Sequence, residues 1–188
     1  MRKIYLFQAN EPINRDVFEQ LIKALIPETD IFYEDDKNGS FVADSLYEPT
    51  LENNIFSIHQ TLGVRISILA VHKLDNLTAY CRKGALDYFP NQCVFLTDIL
   101  YKRTSFGDYY YVHYLKEEFD NVPDEILETA GAFLRCGLNG IETAKMLGIH
   151  RNTFNYRLKE FIELTDCDIR DYHNALLLEL FFQFAKRR

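Results

Sequence analysis

A fixed spacing of small and apolar residues between positions 144 and 158 constrains this chain more than any other feature. Ala144 lies four residues before Gly148, apolar residues flank the glycine, and Phe154 and Leu158 follow one helical turn apart. Two closely crossing helices need a small residue at the crossing, a turn residue that tolerates positive φ, and apolar residues that anchor the second helix. We therefore predict a helix-turn-helix at about residues 140–162, with six structural positions: Ala144, Leu147, Gly148, Ile149, Phe154 and Leu158.

The outer face of the second helix carries residue types that contact nucleic acids. With Phe154 and Leu158 directed inward, the polar side chains of this helix remain exposed and can reach base edges and phosphates. The window Thr143–Lys159 contains four basic residues and no acidic residue, whereas an ordinary solvated helix mixes both signs. We predict double-stranded DNA as the partner, bound by His150, Arg151, Asn152, Thr153, Asn155, Tyr156 and Lys159.

Ordinary major-groove docking assigns roles to these side chains, because the N-terminal part of a recognition helix meets the base edges. Asn152, Thr153 and Asn155 are expected near bases, Arg151 at a guanine or a phosphate, and Tyr156 and Lys159 against the DNA backbone. Three positions keep two interpretations each. Arg157 either serves the interface or pairs with Glu160 or Glu142, Thr153 is a base contact or a local cap, and His150 is a phosphate contact or the helix cap.

The same residues resemble a known family. Residues 149–159, IHRNTFNYRLK, are similar to the I-H-R-N-T-L-x-Y-R-L-x core of the PucR/CdaR-type helix-turn-helix, itself similar to the C-terminal motif of the nucleoid protein Fis. ETAKML at 142–147 and ELT at 163–165 fit the family's flanking motifs. The likeness covers roughly Asp124–Phe184, a third of the chain. It departs at Phe154, where Leu is usual, and at Asn155, where Arg is frequent, which could change base preference or weaken a phosphate contact.

The resemblance implies a DNA-binding module at the C-terminal end of a transcription regulator. In that family the N-terminal portion is variable and usually senses a small metabolite. Several members carry a degenerate GGDEF-like domain directly before the helix-turn-helix. For the N-terminal part of this chain the resemblance leaves open a small-molecule effector or a role in dimerisation, and it does not indicate which molecule an effector would be.

The first hundred residues alternate between strand and helix patterns. Strands are predicted at Lys3–Ala9, Asp30–Glu34, Phe41–Asp44, Val64–His72 and Cys93–Leu96, and helices at Asn14–Ile26, Leu51–Leu62 and Leu74–Phe89. A tight turn is expected at Asp36–Gly39, where Asn38-Gly39 would supply positive φ. The order indicates a split βαβ, ferredoxin-like arrangement, which GGDEF-type palms share. We predict an α+β protein, with this ferredoxin-like or degenerate GGDEF-like domain followed by an all-α helix-turn-helix domain.

The segment Thr97–Asp120 is rich in tyrosine and is harder to interpret. A strand is plausible at Tyr109–Leu115, and the tyrosines either line a ligand pocket or pack between two domains, of which packing is favoured. Asn121-Val122-Pro123 then interrupts the regular pattern of the chain. We place the domain boundary there, with residues 1–120 as a sensory or dimerisation domain and residues 121–188 as the DNA-binding domain.

The last predicted helix, Tyr172–Lys186, is apolar almost all round. One of its faces should close the core of the helix-turn-helix. The excess predicts a second buried face, against the N-terminal domain or a second subunit. A homodimer would also place two recognition helices about one DNA turn apart.

The formal net charge of −7 at first argues against a nucleic-acid partner, because phosphate binding needs Lys and Arg. Residues 1–120 hold 12 basic and 18 acidic residues, whereas residues 121–188 hold 9 and 10. The acidic excess belongs mostly to the N-terminal domain. It should therefore penalise loose nonspecific binding and leave affinity to one small basic face.

Other function classes leave no signature in the sequence. GxSxG, P-loop, GxGxxG and HExxH motifs are absent, and the four cysteines form no CxxC pair, so we predict no catalytic residue, metal or cofactor. No stretch approaches the roughly 20 apolar residues that span a bilayer, which predicts a cytoplasmic protein without a membrane partner. The sequence thus favours a DNA-binding transcription regulator. The alternatives are a Fis-like architectural DNA binder and, less favoured, an enzyme of nucleotide chemistry in the N-terminal domain.

Overall fold

A computed structural model describes residues 2–186 of the chain. It divides into two compact units, Met1–Gly107 and Asp108–Arg188. The final two residues of the predicted DNA-binding domain lie outside the described residues. Among the helices that are described, none combines the length and apolar character needed to cross a membrane.

The first unit is built on a five-stranded mixed sheet. Its elements are β1 (Arg2–Ala9), α1 (Arg15–Leu25), β2 (Ile31–Tyr33), β3 (Asn38–Asp44), α2 (Glu48–Leu62), β4 (Ile66–Val71), α3 (Asn76–Tyr88), β5 (Cys93–Phe95) and α4 (Leu96–Ser105). The strands lie in the order β2-β3-β1-β4-β5. The three contacts β2–β3, β3–β1 and β1–β4 are antiparallel, and β4–β5 is parallel. The first four strands thus have the predicted split βαβ order, with β5 added at one edge.

The two faces of this sheet are covered differently. Because side chains alternate along a strand, Tyr5 and Phe7 of β1 project to one face, where they join the main core. That core includes Phe18 and Ile22 of α1 and Leu51, Ile55 and Ile58 of α2. Leu6 and Gln8, which alternate with Tyr5 and Phe7 along the strand, project to the opposite face, where α3 lies.

The predicted role of the Asn38-Gly39 pair is wrong. Both residues belong to β3, and neither has a positive φ. The chain reverses just before this pair, at residues 34–37. There the carboxylate of Asp35 accepts hydrogen bonds from the backbone N–H groups of Lys37 and Asn38 at 2.7 and 2.8 Å. Gly39 is instead required by close packing, since a Cβ there would lie 2.2 Å from the Phe32 carbonyl oxygen and 2.4 Å from the Phe7 ring.

The second unit is entirely helical in its described residues. It consists of α5 (Val112–Phe119), α6 (Asp124–Arg135), α7 (Gly140–Leu147), α8 (Arg151–Thr165) and α9 (Tyr172–Leu180), which continues as a π-helical turn over Phe181–Ala185. An N-terminal mixed sheet with helices followed by a helical region confirms the predicted fold class.

The predicted strand at Tyr109–Leu115 is wrong, because this part of the chain forms the helix α5. Tyr111, Leu115 and Phe119 are fully buried, and their spacing of four is the stripe of a helix rather than the alternation of a strand. Phe119 packs against Phe161 and Phe181 at ring-centroid distances of 6.0 and 5.1 Å. These contacts attach α5 to the helical unit, so the units divide after Gly107 rather than near residue 121.

The excess apolar surface of the last helix is covered inside the same unit. The ring of Phe181 lies against Phe119 of α5, and Phe184 lies 5.5 Å from Tyr109. Every apolar side chain from Ala175 to Ala185 is buried or half-buried in this chain. The tyrosine-rich segment therefore contributes packing within the second unit, and α9 leaves no large apolar face that demands a second subunit.

Candidate nucleic-acid interface

The first helix of the motif, α7, is bounded by two well-formed caps. At its start the side chain of Asn139 accepts hydrogen bonds from the backbone N–H groups of Ile141 and Glu142. At its end Gly148 has φ +64°, and Gly148 and Ile149 donate to the carbonyls of Lys145 and Ala144. This pair of bonds is a Schellman motif, which favours glycine because a Cβ strains the left-handed conformation. The turn therefore has the geometry that the sequence spacing predicted.

The second helix, α8, begins with His150 as its cap. The backbone of His150 is extended, and its Nδ1 accepts a hydrogen bond from the N–H of Asn152 at 3.2 Å. His150 thus performs the capping role that the sequence left open, while its side chain stays exposed beside the start of α8. Thr153 is not the cap, and its side chain is exposed.

The buried face of α8 packs on α6 and α7 through the predicted residues. Phe154 is 4% exposed and its ring lies 5.4 Å from that of Phe133 in α6. Leu158 and Ala144 are also buried, whereas the predicted structural positions Leu147 and Ile149 are half-buried at the turn. The predicted structural positions thus come together around one crossing of helices.

Gly140 is a structural residue of the motif that the spacing argument missed. A Cβ at position 140 would lie 2.6 Å from Cε1 of Phe154, so the large ring occupies the space that a side chain on α7 would need. The signal was present in the sequence as the departure from leucine to phenylalanine at position 154. A larger residue on one helix requires a smaller one on the helix that it crosses.

The exposed face of α8 contains every predicted DNA-contacting residue on that helix. Arg151, Asn152, Thr153, Asn155, Tyr156 and Lys159 are all exposed. A groove of about 470 Å³ runs beside this face, between the α6–α7 turn at residues 137–141 and the side chains of Arg151 and Asn155. Side chains at the N-terminal half of α8 are therefore free to enter a partner's groove.

The two halves of α8 differ in whether acidic residues engage their exposed side chains. Lys159 pairs with Glu163 at 3.2 Å, and a hydrogen bond to Glu160, together with its charge, raises the pKa of the Tyr156 hydroxyl. By contrast, among the described residues no acidic side chain forms an ion pair with Arg151 or Lys145. The positive potential is therefore concentrated at the N-terminal half of α8 and the end of α7.

Arg157 joins α8 to α6 and does not belong to the exposed face of α8. Its guanidinium pairs with the carboxylate of Glu125 in α6 and donates to Thr129 Oγ1 at 3.4 Å, and its side chain is mostly buried. The partners expected from the sequence, Glu160 and Glu142, are not the ones that it contacts. Residues on α6 could not be anticipated from spacing within α8, because they lie about thirty positions earlier in the chain.

Comparison with known protein families matches residues 126–183 to the PucR C-terminal helix-turn-helix domain. Residues 126–183 are a PucR-type helix-turn-helix domain. The match spans α6 to α9 together with most of the π-helical turn, and it includes every predicted DNA-contacting residue. The resemblance stated from the sequence motif is thereby confirmed.

Two of the relatives that match this chain are named as transcription regulators. The carbohydrate diacid regulator of Escherichia coli (strain K12) is 38% identical over 60 residues, which is 32% of this chain and 16% of that protein. The proline-responsive transcriptional activator PutR of Bacillus subtilis (strain 168) is 31% identical over 74 residues, 39% of this chain and 18% of PutR. The matches therefore cover less than a fifth of each relative's own length.

A solved structure is similar over nearly the whole chain. The crystal structure of a regulator of polyketide synthase expression from Bifidobacterium adolescentis covers 99% of this chain and 81% of its own, with a TM-score of 0.48 and 18% identity.

Proposed function

We propose that this protein is a homodimeric transcription regulator that recognises a specific DNA sequence through α7 and α8. The proposal rests on one observation at the N-terminal half of α8. Polar and basic side chains are exposed together there, while the buried Phe154 anchors the helix in the core. The PucR-type domain and the regulators that share it support the assignment.

The proposed docking places the start of α8 in the major groove. Asn152, Thr153 and Asn155 approach base edges, and an asparagine amide pairs in bidentate fashion with adenine. Arg151 reads a guanine or holds a phosphate, because its guanidinium has no competing ion pair among the described residues. His150, Tyr156 and Lys159 lie against the DNA backbone, where contacts fix position rather than sequence.

The dimer is proposed because one small basic face supplies few phosphate contacts. Each phosphate contact adds to affinity through counterion release, so two copies of the face on one DNA site compensate for the small number in each. Two recognition helices about 34 Å apart would then read two half-sites. Sedimentation at micromolar protein concentration should give twice the chain mass, and a monomer under those conditions contradicts this part of the proposal.

The N-terminal unit is proposed to regulate this binding, by sensing a small molecule or by joining the two chains. Residues 1–107 hold 11 basic and 14 acidic residues, so this unit adds no net positive charge for binding phosphates, and we place it away from the DNA. This regulatory role agrees with the resemblance, which implies a variable and usually metabolite-sensing N-terminal portion for such proteins.

Selection from a random duplex library tests the proposed function. We expect repeated selection with the full chain to enrich a symmetric sequence with half-sites about 10 base pairs apart. Binding to that site should exceed binding to scrambled DNA at about 0.15 M salt by at least about a thousandfold. Strong, steeply salt-dependent binding without an enriched sequence would instead identify an architectural DNA binder, and absence of DNA binding would overturn both assignments.

A further inference from the structure

A groove of about 440 Å³ lies beside the C-terminal half of α8. Arg170, in the turn between α8 and α9, lines it from outside the helix. The rest of the lining is a stripe of α8 that recurs every three or four positions: Asn155, Leu158, Lys159, Ile162 and Glu163. Asn155 also lines the groove of about 470 Å³ at the N-terminal half of α8, so the two grooves meet there. They form one channel along a side of α8, from residues 137–141 to Arg170, which we call the α8 channel.

The α8 channel borders the predicted DNA-contacting face. Three of the predicted contacts, Arg151, Asn155 and Lys159, line it. The major groove is about 12 Å wide and a helix with its side chains is about 10–12 Å across, so a helix docked there has phosphates along both of its sides. The docking proposed for α8 therefore brings the backbone of one DNA strand along the α8 channel, next to Arg170.

Arg170 is held in one orientation at the end of this channel. Its Nε and Nη2 donate to the two carboxylate oxygens of Asp168 at 2.8 and 2.6 Å, and its backbone N–H donates to Oδ1 at 3.1 Å. A guanidinium has five N–H donors, so the two bonds to Asp168 leave three donors for a further partner. A side chain that is already ordered also loses less conformational freedom on binding than a mobile one.

The guanidinium is accessible, and the carboxylate beside it is largely covered. The side chain of Arg170 is 64% exposed, whereas that of Asp168 is 20% exposed. A phosphate that approaches from solvent therefore meets mainly the cationic group. Arginine binds phosphate oxygens through charge-assisted hydrogen bonds, often two in parallel. The pair with Asp168 thus orients Arg170 and leaves it open to a phosphate.

We propose that Arg170 is a further DNA-contacting residue, which donates hydrogen bonds to a phosphate of the strand in the α8 channel. The contact extends the interface beyond α8 and beyond the basic window at 143–159. Phosphate contacts fix the position of a protein on the duplex and carry no sequence information, so Arg170 adds affinity without changing sequence preference. The inference rests on the docking of α8 proposed above.

Fluorescence anisotropy with the full chain and labelled duplexes, over a series of salt concentrations, tests the contact. Arg170→Gln should weaken binding to the selected and the scrambled duplex alike, by about fivefold at about 0.15 M salt, which is the share of one released counterion relative to 1 M. The slope of log affinity against log salt should fall by about one. Arg65→Gln, which makes the same change at an exposed position of the first unit, should leave affinity and slope unchanged.

A second variant separates a lost contact from a change of charge. Arg170→Gln leaves the carboxylate of Asp168 without this partner, whereas Asp168→Asn/Arg170→Gln keeps the net charge of the wild type. We expect the double variant to lose the same affinity and the same salt slope as Arg170→Gln, with helical circular dichroism retained in both because Arg170 is exposed. If the double variant binds DNA like the wild type, the uncovered carboxylate explains the single variant and the proposed contact is wrong.

Neutral methylphosphonates, placed one at a time in the backbone of the selected duplex, locate the phosphate. At one position the replacement should weaken binding of the wild type about fivefold and leave binding of Arg170→Gln nearly unchanged. Equal losses in both proteins at every position contradict the contact.

The outcomes distinguish this contact from the proposed function. Wild-type affinity in Arg170→Gln overturns the contact alone, and a loss confined to the selected duplex overturns it in favour of a base contact. In both cases the DNA-binding function stands. Absence of DNA binding by the wild type would overturn the function and the contact together.

Discussion

At the scale of single residues, complementary size and charge decide which positions of the helix-turn-helix matter. Phe154 is accommodated because position 140 has no side chain, and Lys159 and Tyr156 are engaged by acidic residues of the same helix. Among the described basic residues of α7 and α8, Arg151 and Lys145 are exposed and form no ion pair. Recognition of DNA should therefore depend on fewer side chains than the whole exposed face contains.

Gly140→Ala should destabilise the helical unit even though alanine is the better helix former. The added Cβ would meet the buried ring of Phe154, and overpacking of this kind costs about 1–3 kcal/mol. Denaturant unfolding monitored by circular dichroism measures the change. Ile141→Ala, at the exposed neighbouring position, is the control and should cost less than about 0.5 kcal/mol. Equal stability of the Gly140 variant and the wild type would show that the ring moves freely.

Glu163→Gln should increase the affinity for DNA. The substitution releases Lys159 from its ion pair and removes a negative charge from the C-terminal half of α8, so affinity should rise about threefold at low salt. Fluorescence anisotropy with labelled duplex measures it. Glu128→Gln, an exposed acidic residue on α6, makes the same change of charge away from α8. If both variants gain equally, only the net charge matters and the Lys159 pair has no role.

At the scale of secondary-structure elements, capping and inter-helix pairs hold α8 in place. Arg157 joins α8 to α6 through Glu125 and Thr129, and Asp168 organises the turn from α8 to α9. These contacts lie outside the predicted DNA-contacting face. They should control stability and the angle at which α8 is presented, rather than sequence preference.

A double-mutant cycle of Arg157→Ala and Glu125→Ala measures the first of these contacts. We expect a coupling energy of about 0.5–1 kcal/mol in the free energy of unfolding, as for a partly exposed pair. DNA affinity at fixed folded concentration should fall less than about threefold in either single variant. A loss of DNA affinity by a hundredfold in Arg157→Ala, without coupling, would instead identify Arg157 as a phosphate contact.

Asp168 should make the helical unit sensitive to acid. Hydrogen bonds from the Arg170 side chain are the main cause that holds the pKa of Asp168 below its usual range in the folded protein. Its contribution, about 0.5 kcal/mol for a pair that solvent screens, is present above the unfolded-state pKa near 4 and is lost as pH falls through the lower folded-state pKa. Asp168→Asn should therefore lower stability at pH 7, with a difference that narrows below pH about 4.

The control for this prediction is Asp166→Asn, because Asp166 ends α8 at φ +54°, a conformation that asparagine also accepts. Unfolding free energies at pH 7, 4 and 3 are compared for the three proteins. A difference between Asp168→Asn and the wild type that stays constant over this range would exclude titration of Asp168 as its source.

Elements with a long, regular pattern were predictable from the sequence, and those decided by a distant contact were not. The Ala144–Gly148 spacing specified the turn because both requirements are local. By contrast, Asn38-Gly39 has the composition of a hairpin turn, but the chain reverses just before it, where Asp35 accepts a hydrogen bond from the N–H of Lys37. Gly39 is needed because a side chain there would clash with Phe7. Clustered tyrosines suggested a strand at residues 109–115, although the burial of Tyr111, Leu115 and Phe119 follows a helix.

At the scale of the whole molecule, charge is distributed between two units of different kind. Residues 1–107 hold 11 basic and 14 acidic residues and residues 108–188 hold 10 and 14, so both units are net acidic, and the acid-free basic window lies in residues 143–159 of the second. A protein built this way should bind nonspecific DNA weakly, because most of its surface is repelled by phosphates, and should depend on a few specific contacts for affinity. The overall charge of −7 is then compatible with sequence-specific binding.

The most direct measurement is DNA affinity of the Arg151→Ala/Asn155→Ala double variant on the selected sequence. We expect a loss of at least about a hundredfold, since each base contact contributes about 1–3 kcal/mol, with unchanged thermal unfolding. The matched control is Arg65→Ala/Asn53→Ala, which removes the same residue types from exposed positions of the first unit and should bind like the wild type. If the α8 double variant also binds like the wild type, α8 is not the recognition helix and the account is wrong.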